Sequence, residues 1–180
     1  MQIGSGRLAS FRRLCGSCSH QGCCTNSAVP LVFSNDYAKL KAIGKEDERF
    51  VKEIEINGKK VKAVSKKKNS DVCVFWDEDK SNCSIYENRP FDCKAYPFDI
   101  CHIDGRYRWI VYSCNPGSGW KWSEPFLQML ENDDEFSDII HNIDVFSRHT
   151  EMILPSESIK TPYTVLREVK IKQDTQKIFE

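Results

Sequence analysis

Short alternating runs of apolar and polar residues fill the chain between positions 50 and 112 and predict β-strands. The β-prone segment 50–64 is divided by Asn57-Gly58, and Asn-Gly between two such runs is a strong hairpin signal. Asp104-Gly105 separates Cys101–Ile103 from Arg106–Tyr112 in the same way. A third hairpin is predicted from strands over 72–76 and 83–86, with a polar turn between them.

A different spacing, with apolar residues three and four positions apart, predicts short helices around these hairpins. Ser34 is a good N-cap for a helix over Asn35–Ile43, and Gly44 is suited to close it. A single helical turn is predicted over Phe91–Tyr96, after the strand breaker Pro90. One face of the first helix is expected to lie in the core, and it carries Tyr37, Leu40 and Ile43.

The last third of the chain is predicted to be mainly helical. One helix begins at Ser123 and a second near Asp133 or Asp134, and Pro155 ends this region. Weak alternation within 161–180 predicts an edge strand before the tail. The buried face of the second helix is expected to carry Phe136, Ile139, Ile140, Ile143 and Phe146.

These elements predict an α+β fold in three parts. Residues 1–14 form an N-terminal lead-in, residues 15–120 a small cysteine-rich domain of β-hairpins and short helices, and residues 121–180 a helical extension and tail. A chain of 180 residues is long enough for one domain with an appendage. The six lysines between positions 59 and 68 predict a solvated hairpin arm, although contact with an anionic partner is the alternative.

The net charge and the hydropathy of the chain argue against several classes of function. Lys and Arg together number 26, as do Asp and Glu, so the net charge is zero and no nucleic-acid partner is expected. No apolar run approaches the roughly 20 residues that cross a bilayer, and the N-terminus lacks the apolar core of a secretory signal. We therefore predict a cytoplasmic protein without a membrane partner.

The chain has nine cysteines, and four of them crowd into positions 15–24. Cytoplasmic thiols stay reduced, so clustered cysteines are more often metal ligands than disulfides. Thiolates suit zinc and iron–sulfur clusters equally, and the spacing does not choose between them. Adjacent side chains diverge, so Cys23 and Cys24 are expected to serve different metals or different edges of one cluster. Two centres of four thiolates would use eight of the nine cysteines.

A thiolate centre of this kind carries excess negative charge and needs nearby cations and N–H donors. Arg89 and Lys94 bracket Cys93 and are the candidates for cofactor contacts, with an ordinary surface role as the alternative for Arg89. His20 and His102 lie beside or near cysteines and are weaker alternative ligands. The sequence contains neither a Gly-rich phosphate loop nor an H-E-x-x-H zinc motif, and no catalytic residue is predicted.

The cysteine spacing resembles a known family. Cys15-x2-Cys18-x4-Cys23-Cys24 is similar to the N-terminal signature of the YkgJ-like, or CxxCxxCC, cysteine-cluster proteins, which are regarded as zinc- or iron-chelating. The later block resembles that family more specifically, from Cys83-Ser84-Ile85-Tyr86 through Arg89-Pro90 to Cys93 and Tyr96-Pro97-Phe98. One departure is the longer spacing between Cys18 and Cys23, an insertion in this knuckle that is expected to alter its ligand geometry.

The resemblance covers about residues 15–120 and implies the ligand set. Cys101 has no counterpart in the pattern and is the odd one out. The eight implied metal ligands are Cys15, Cys18, Cys23, Cys24, Cys73, Cys83, Cys93 and Cys114.

Three functions follow from an iron–sulfur cluster or zinc at these cysteines. The first is an accessory, scaffold or electron-transfer component of a larger complex, with a protein partner bound through the C-terminal helices. The second is a redox or protein-modifying enzyme, because bacterial flagellin lysine methylases have a similar cysteine pattern. The third is a structural zinc module that unfolds without its metal.

Overall fold

The hairpin at Asn57-Gly58 forms the centre of the first sheet. In the computed structural model, which describes residues 22–25, 29–112, 123–153 and 163–171, β2 (Val51–Ile56) and β3 (Lys59–Val64) pair antiparallel. Asn57 and Gly58 have φ angles of 51° and 78°, as a two-residue type I′ turn requires. Strand β1 (Leu31–Val32) joins the other edge of β3, so the order is β1-β3-β2. The predicted hairpin and the short extended segment before it are confirmed.

Each face of the first sheet carries some buried residues, and these belong to two separate hydrophobic clusters. Leu31 and Ala63 are partners on one face, and with Ile56 they belong to the larger cluster. Val51 and Val64 are partners on the other face, in a smaller cluster that also contains cysteines. Because successive strand residues point to opposite faces, neighbours in sequence enter different clusters.

The second sheet is built on the Asp104-Gly105 hairpin. Strands β6 (Phe98–Ile103) and β7 (Arg106–Tyr112) pair antiparallel, and Asp104 and Gly105 both have positive φ angles. Strand β8 (Tyr163–Glu168) adds to the free edge of β7, giving the order β6-β7-β8. The predicted hairpin and edge strand are confirmed. Trp109, Ile110 and Val111 of the central strand are fully buried.

Helices from the C-terminal part cover this sheet. They are α4 (Ser123–Glu131), α5 (Phe136–His141) and α6 (Ile143–Ile153), and α6 packs on β6. The prediction of one helix after α4 is wrong, because the helix is interrupted at Asn142. The buried side chains Leu127, Ile139 and Phe146 lie in the same cluster as the second sheet. The helices thus share a core with the strands, while the predicted domain boundary at 120 stays a prediction.

The segments that carry the cysteines are shorter and less regular. Helix α1 spans Gly22–Thr25, α2 spans Ser34–Ala42 and α3 spans Phe91–Ala95. Strands β4 (Trp76–Asp77) and β5 (Asn82–Cys83) form a two-stranded sheet, followed by a 3₁₀ turn over Tyr86–Asn88.

Three details of this region differ from the prediction. Ser34 is the first residue of α2 and not its cap, since the carboxylate of Asp36 accepts the Phe33 N–H at 3.3 Å. Ile43 is 38% exposed because α2 has ended before it. The predicted strands 72–76 and 83–86 shrink to two residues each, with the 3₁₀ turn replacing the end of the second. The single turn at 91–96 is confirmed, and the class is α+β as predicted.

Candidate metal centre

The predicted ligands come from widely separated segments. Cys24 lies in α1, Cys73 in the loop before β4, Cys83 in β5 and Cys93 in α3. Cys15, Cys18, Cys114 and the side chain of Cys23 lie outside the described residues, as do His20 and the lead-in 1–14. Half of the predicted ligand set can therefore be placed.

Backbone hydrogen bonds hold Cys24 beside Cys73. The Cys73 N–H donates to the Cys24 carbonyl oxygen at 2.7 Å. On its other side, Cys73 forms an isolated antiparallel bridge with Lys66. Cys73 is therefore fixed between α1 and the chain that leaves β3.

The small β4–β5 sheet brings Cys83 to the same region. Cys83 is the partner of Trp76, and the Ser84 N–H donates to the Phe75 carbonyl at 2.8 Å. Trp76 follows Cys73 closely, and its N–H donates to the Cys73 carbonyl at 3.0 Å. Cys24 and Cys83 both pack against the smaller hydrophobic cluster, of which Cys73 is a buried member.

The carboxylates of buried Asp36 and partly buried Asp92 fix the position of Cys93. Asp92 accepts the Leu31 N–H of β1 at 2.8 Å, and Asp36 accepts the Phe91 N–H at the start of α3 at 2.9 Å. Burial raises the pKa of Asp36 to about 6, and the Phe91 N–H, the Lys39 ammonium and the Phe33 N–H oppose the rise. The short helix that carries Cys93 is therefore tied to both β1 and α2.

The four described thiols lie close enough for the charge of each to act on the others. Burial raises the pKa of Cys73 and of Cys83, and a thiolate at Cys24 adds to both increases. Burial raises the pKa of Cys93 well above its ordinary value, with further repulsion from Asp92 and the other three cysteines. Cys73, Cys83 and Cys93 therefore favour the protonated thiol until a cation compensates the charge of the thiolates.

The donor chemistry fits a thiophilic metal. Within the described residues, no three metal-ligating side chains already converge on one point. The four sulfurs are nevertheless on neighbouring segments, and thiolates are preferred ligands of zinc and of iron–sulfur clusters. Cys24, Cys73, Cys83 and Cys93 are the described residues that would hold such a group.

A comparison with protein-family models agrees with this chemistry. Residues 14–115, more than half of the chain, match the CxxCxxCC model, which is described as a "putative zinc- or iron-chelating domain". The chain belongs to the CxxCxxCC family. The CxxCxxCC match covers every predicted metal ligand, and zinc or iron agrees with the cofactors expected from the thiols. No curated protein and no solved structure matches the chain.

The two cations predicted to contact the centre of this CxxCxxCC domain have different surroundings. Arg89 stacks on the Tyr86 ring, with 3.8 Å from its guanidinium carbon to the ring centroid, and donates to the Tyr86 carbonyl. It lies near enough to Cys83 to oppose the rise in the pKa of that thiol. The Lys94 ammonium forms ion pairs with Asp133 at 3.3 Å and Glu135 at 2.8 Å. Both cofactor roles stay predictions, but Lys94 already has two anionic partners.

Cys101 and His102 lie in β6 of the CxxCxxCC domain, among other groups. Burial raises the pKa of Cys101, and the further contributions come from Glu151 and Asp99 and not from a thiol. His102 packs its ring on Tyr107, at 4.9 Å between centroids, and lines a cleft of about 310 Å³. These surroundings are consistent with leaving Cys101 out of the ligand set.

Sequence reasoning missed Lys66, which lies among the thiols. Its side chain is half-buried, and burial lowers its pKa while thiolates at Cys73 and Cys24, the carboxylate of Asp71 and a thiolate at Cys93 raise it. The sequence placed Lys66 in a lysine-rich run that was expected to be solvated. Only the pairing of Lys66 with Cys73 distinguishes it from its neighbours, and that pairing is a tertiary contact.

Proposed function

We propose that this protein holds an iron–sulfur cluster or zinc at a composite thiolate centre and acts in the cytoplasm as an accessory or electron-transfer component of a larger complex. The observation that carries the proposal is the gathering of Cys24, Cys73, Cys83 and Cys93 from four separate segments. The cytoplasm is proposed because free thiols persist there in reduced form.

Each part of the chain contributes differently to this function. The hairpin segments supply thiolates, and the carboxylates of Asp36 and Asp92 tie α3, which carries Cys93, to α2 and β1. A bound cluster would supply a one-electron redox couple, whereas zinc would supply a fixed positive charge without redox chemistry.

The proposed partner surface is on the C-terminal helices. Met129 of α4 is 48% exposed and Met152 of α6 is 53% exposed, which makes them the most exposed large apolar side chains in the described part of the chain. Methionine side chains adapt readily to a partner surface. The acidic segment 131–135 is less available, because Glu131, Asp133 and Glu135 form internal ion pairs.

Metal analysis of the anaerobically purified protein tests the proposal. We expect either brown protein with acid-labile sulfide and iron, or colourless protein with stoichiometric zinc. Cys24→Ser should lower the metal content, because it removes a thiolate from the centre. Cys101→Ser is the matched control and should leave the metal content unchanged. Wild-type protein without iron and zinc would overturn the proposal, and equal loss in both variants would overturn the ligand assignment.

The partner surface needs its own experiment. Deletion of the helices is unsuitable because Leu127 and Phe146 are core residues. Met129→Gln and Met152→Gln change only exposed side chains, so we expect loss of a co-purifying partner with unchanged metal content. Retention of the same partner by the double variant would contradict a partner surface on these helices.

A structural metal module is the second candidate, and the irregularity of the cysteine-bearing segments favours it. Between β3 and β6, the chain has two-residue strands, a 3₁₀ turn and one short helix. Such segments have little regular backbone hydrogen bonding to hold them, so metal coordination would contribute to their stability beyond their few buried side chains such as Phe75 and Ile85. Removal of metal should then raise hydrogen exchange at Val74 and Ser84 while Trp109 and Ile110 stay protected. Unchanged exchange at Val74 and Ser84 would exclude this candidate.

A further inference from the structure

Lys66 has a defined position relative to Cys73. The Lys67 N–H donates to the Val72 carbonyl at 2.8 Å, and the Val74 N–H donates to the Ser65 carbonyl at 3.1 Å. These two bonds flank Lys66 and Cys73, which are directly opposed in the bridge. Lys66 and Cys73 therefore form a non-hydrogen-bonded antiparallel pair, in which the Cα atoms lie about 4.5 Å apart and the side chains share one face.

The pairing places the half-buried Lys66 side chain on the same face as the Cys73 side chain. Cys73 is buried, and its N–H is bonded to the carbonyl of Cys24. The Lys66 ammonium also lies within electrostatic range of Cys93. Lys66 thus lies directly opposite Cys73, whose other edge is bonded to α1, and its charge interacts with thiolates at Cys73, Cys24 and Cys93 as well as with Asp71.

Neighbouring cations do not have this arrangement. Lys67 points to the other face of the bridge and pairs with Glu78 at 2.7 Å. Lys68 is exposed, and Lys94 is held by Asp133 and Glu135. Arg89 opposes the rise in the pKa of Cys83. Cys83 is not among the thiols that most affect the pKa of Lys66.

We propose that Lys66 is the charge-compensating residue of the metal centre, positioned by its pairing with Cys73 so that its ammonium offsets the excess negative charge of the bound thiolate–metal group. Such a group with four thiolates carries about two negative charges, which burial makes costly unless cations lie nearby. Lys66 is a positioning and charge-balancing residue and not a ligand, since a protonated ammonium has no lone pair to donate. This inference rests on the proposed metal-binding function.

The test compares how tightly the purified full-length protein retains its own iron or zinc. The measured quantity is the EDTA concentration that strips half of the metal at equilibrium under anaerobic conditions. For Lys66→Met, which keeps most of the length and removes the charge, we expect this concentration to fall at least about tenfold, because the attraction between a neighbouring cation and the anionic centre acts through an effective dielectric constant of about 20. Lys66→Arg should restore most of the retention. Lys68→Met is the matched control and should behave as wild type.

Each outcome separates the two proposals. Wild-type protein that carries no metal overturns the metal-binding function itself. Loaded wild-type protein with equal retention in Lys66→Met overturns only the role of Lys66. Equal weakening in Lys66→Met and Lys68→Met shows a general charge effect, and failure of Lys66→Arg to restore retention shows that shape matters and not charge, so both results contradict the proposal.

Discussion

Glu131 is the clearest point at which a single substitution tests the packing of the helices on the second sheet. It is the last residue of α4, only 6% exposed, and it accepts the Trp109 indole N–H at 2.9 Å. Both terminal nitrogens of Arg167 donate to it, at 2.8 Å and 2.9 Å, as does the Lys170 backbone N–H at 2.9 Å. One carboxylate thus joins α4 to β7 and to β8.

Glu131→Ala should destabilise the protein by about 2–4 kcal/mol. Trp109 is fully buried, so its N–H would lose its acceptor without gaining water, at a cost of about 1–3 kcal/mol. Arg167 would lose a bidentate partner but keep Glu124 at 2.6 Å. The lost ion pair therefore contributes about 1 kcal/mol to the destabilisation. Glu131→Gln keeps one acceptor oxygen, so its free energy of unfolding should lie between those of the wild type and Glu131→Ala.

Urea unfolding of the metal-loaded protein, followed by far-ultraviolet circular dichroism, measures these differences. Glu168→Ala is the matched control, because Glu168 pairs with Arg106 at 2.9 Å while both side chains are more than half exposed. That control should cost less than about 1 kcal/mol. If Glu131→Ala and Glu168→Ala cost the same within error, the reasoning about the buried carboxylate is refuted.

Two further predictions concern buried titratable groups. Burial lowers the pKa of His149 to about 4, below the unfolded value near 6.5, so its contribution to stability is present above pH 6.5 and is lost as the pH falls towards 4. His149→Gln should therefore flatten the pH dependence of unfolding between pH 6.5 and 4 relative to wild type, and an unchanged slope would contradict a buried neutral imidazole. Asp36→Ala should cost about 2–4 kcal/mol in urea unfolding, because the buried N–H groups of Phe33 and Phe91 lose their acceptor. Asp36→Asn keeps one acceptor and should cost less, and equal costs would show that the hydrogen bonds contribute little.

Elements set by local chemistry were predictable from the sequence. Asn57-Gly58 and Asp104-Gly105 need positive φ angles that few residue pairs adopt easily, so their hairpins follow from two residues each. The break at Asn142 was not predictable in this way, because Ile139, Ile140 and Ile143 continue the helical spacing across it and neither Gly nor Pro marks it.

The site depended more on contacts between distant segments. The cysteine spacing and its family resemblance named the candidate ligands, and the structure places four of them on neighbouring segments. The short length of β4 could not be foreseen, because the backbone of Cys73 is bonded to Cys24 and paired with Lys66 instead of continuing a hairpin. Lys66 was missed for the same reason, because its pairing with Cys73 is a tertiary contact that the sequence pattern does not indicate.

The three-stranded sheet with a hydrophobic cluster on each face has a consequence for cooperativity. Ala63 and Val64 are consecutive, yet Ala63 lies in the larger cluster with the helices and the second sheet, whereas Val64 lies in the smaller cluster with Cys73, Phe75 and Ile85. If the metal supports one side of the sheet, metal-free protein should melt in two steps, with the cysteine-bearing side lost first. A cavity made at Val64 would then lower the first transition, and a bulkier side chain at Ala63 would lower the second. A single melting temperature would describe the metal-loaded protein only.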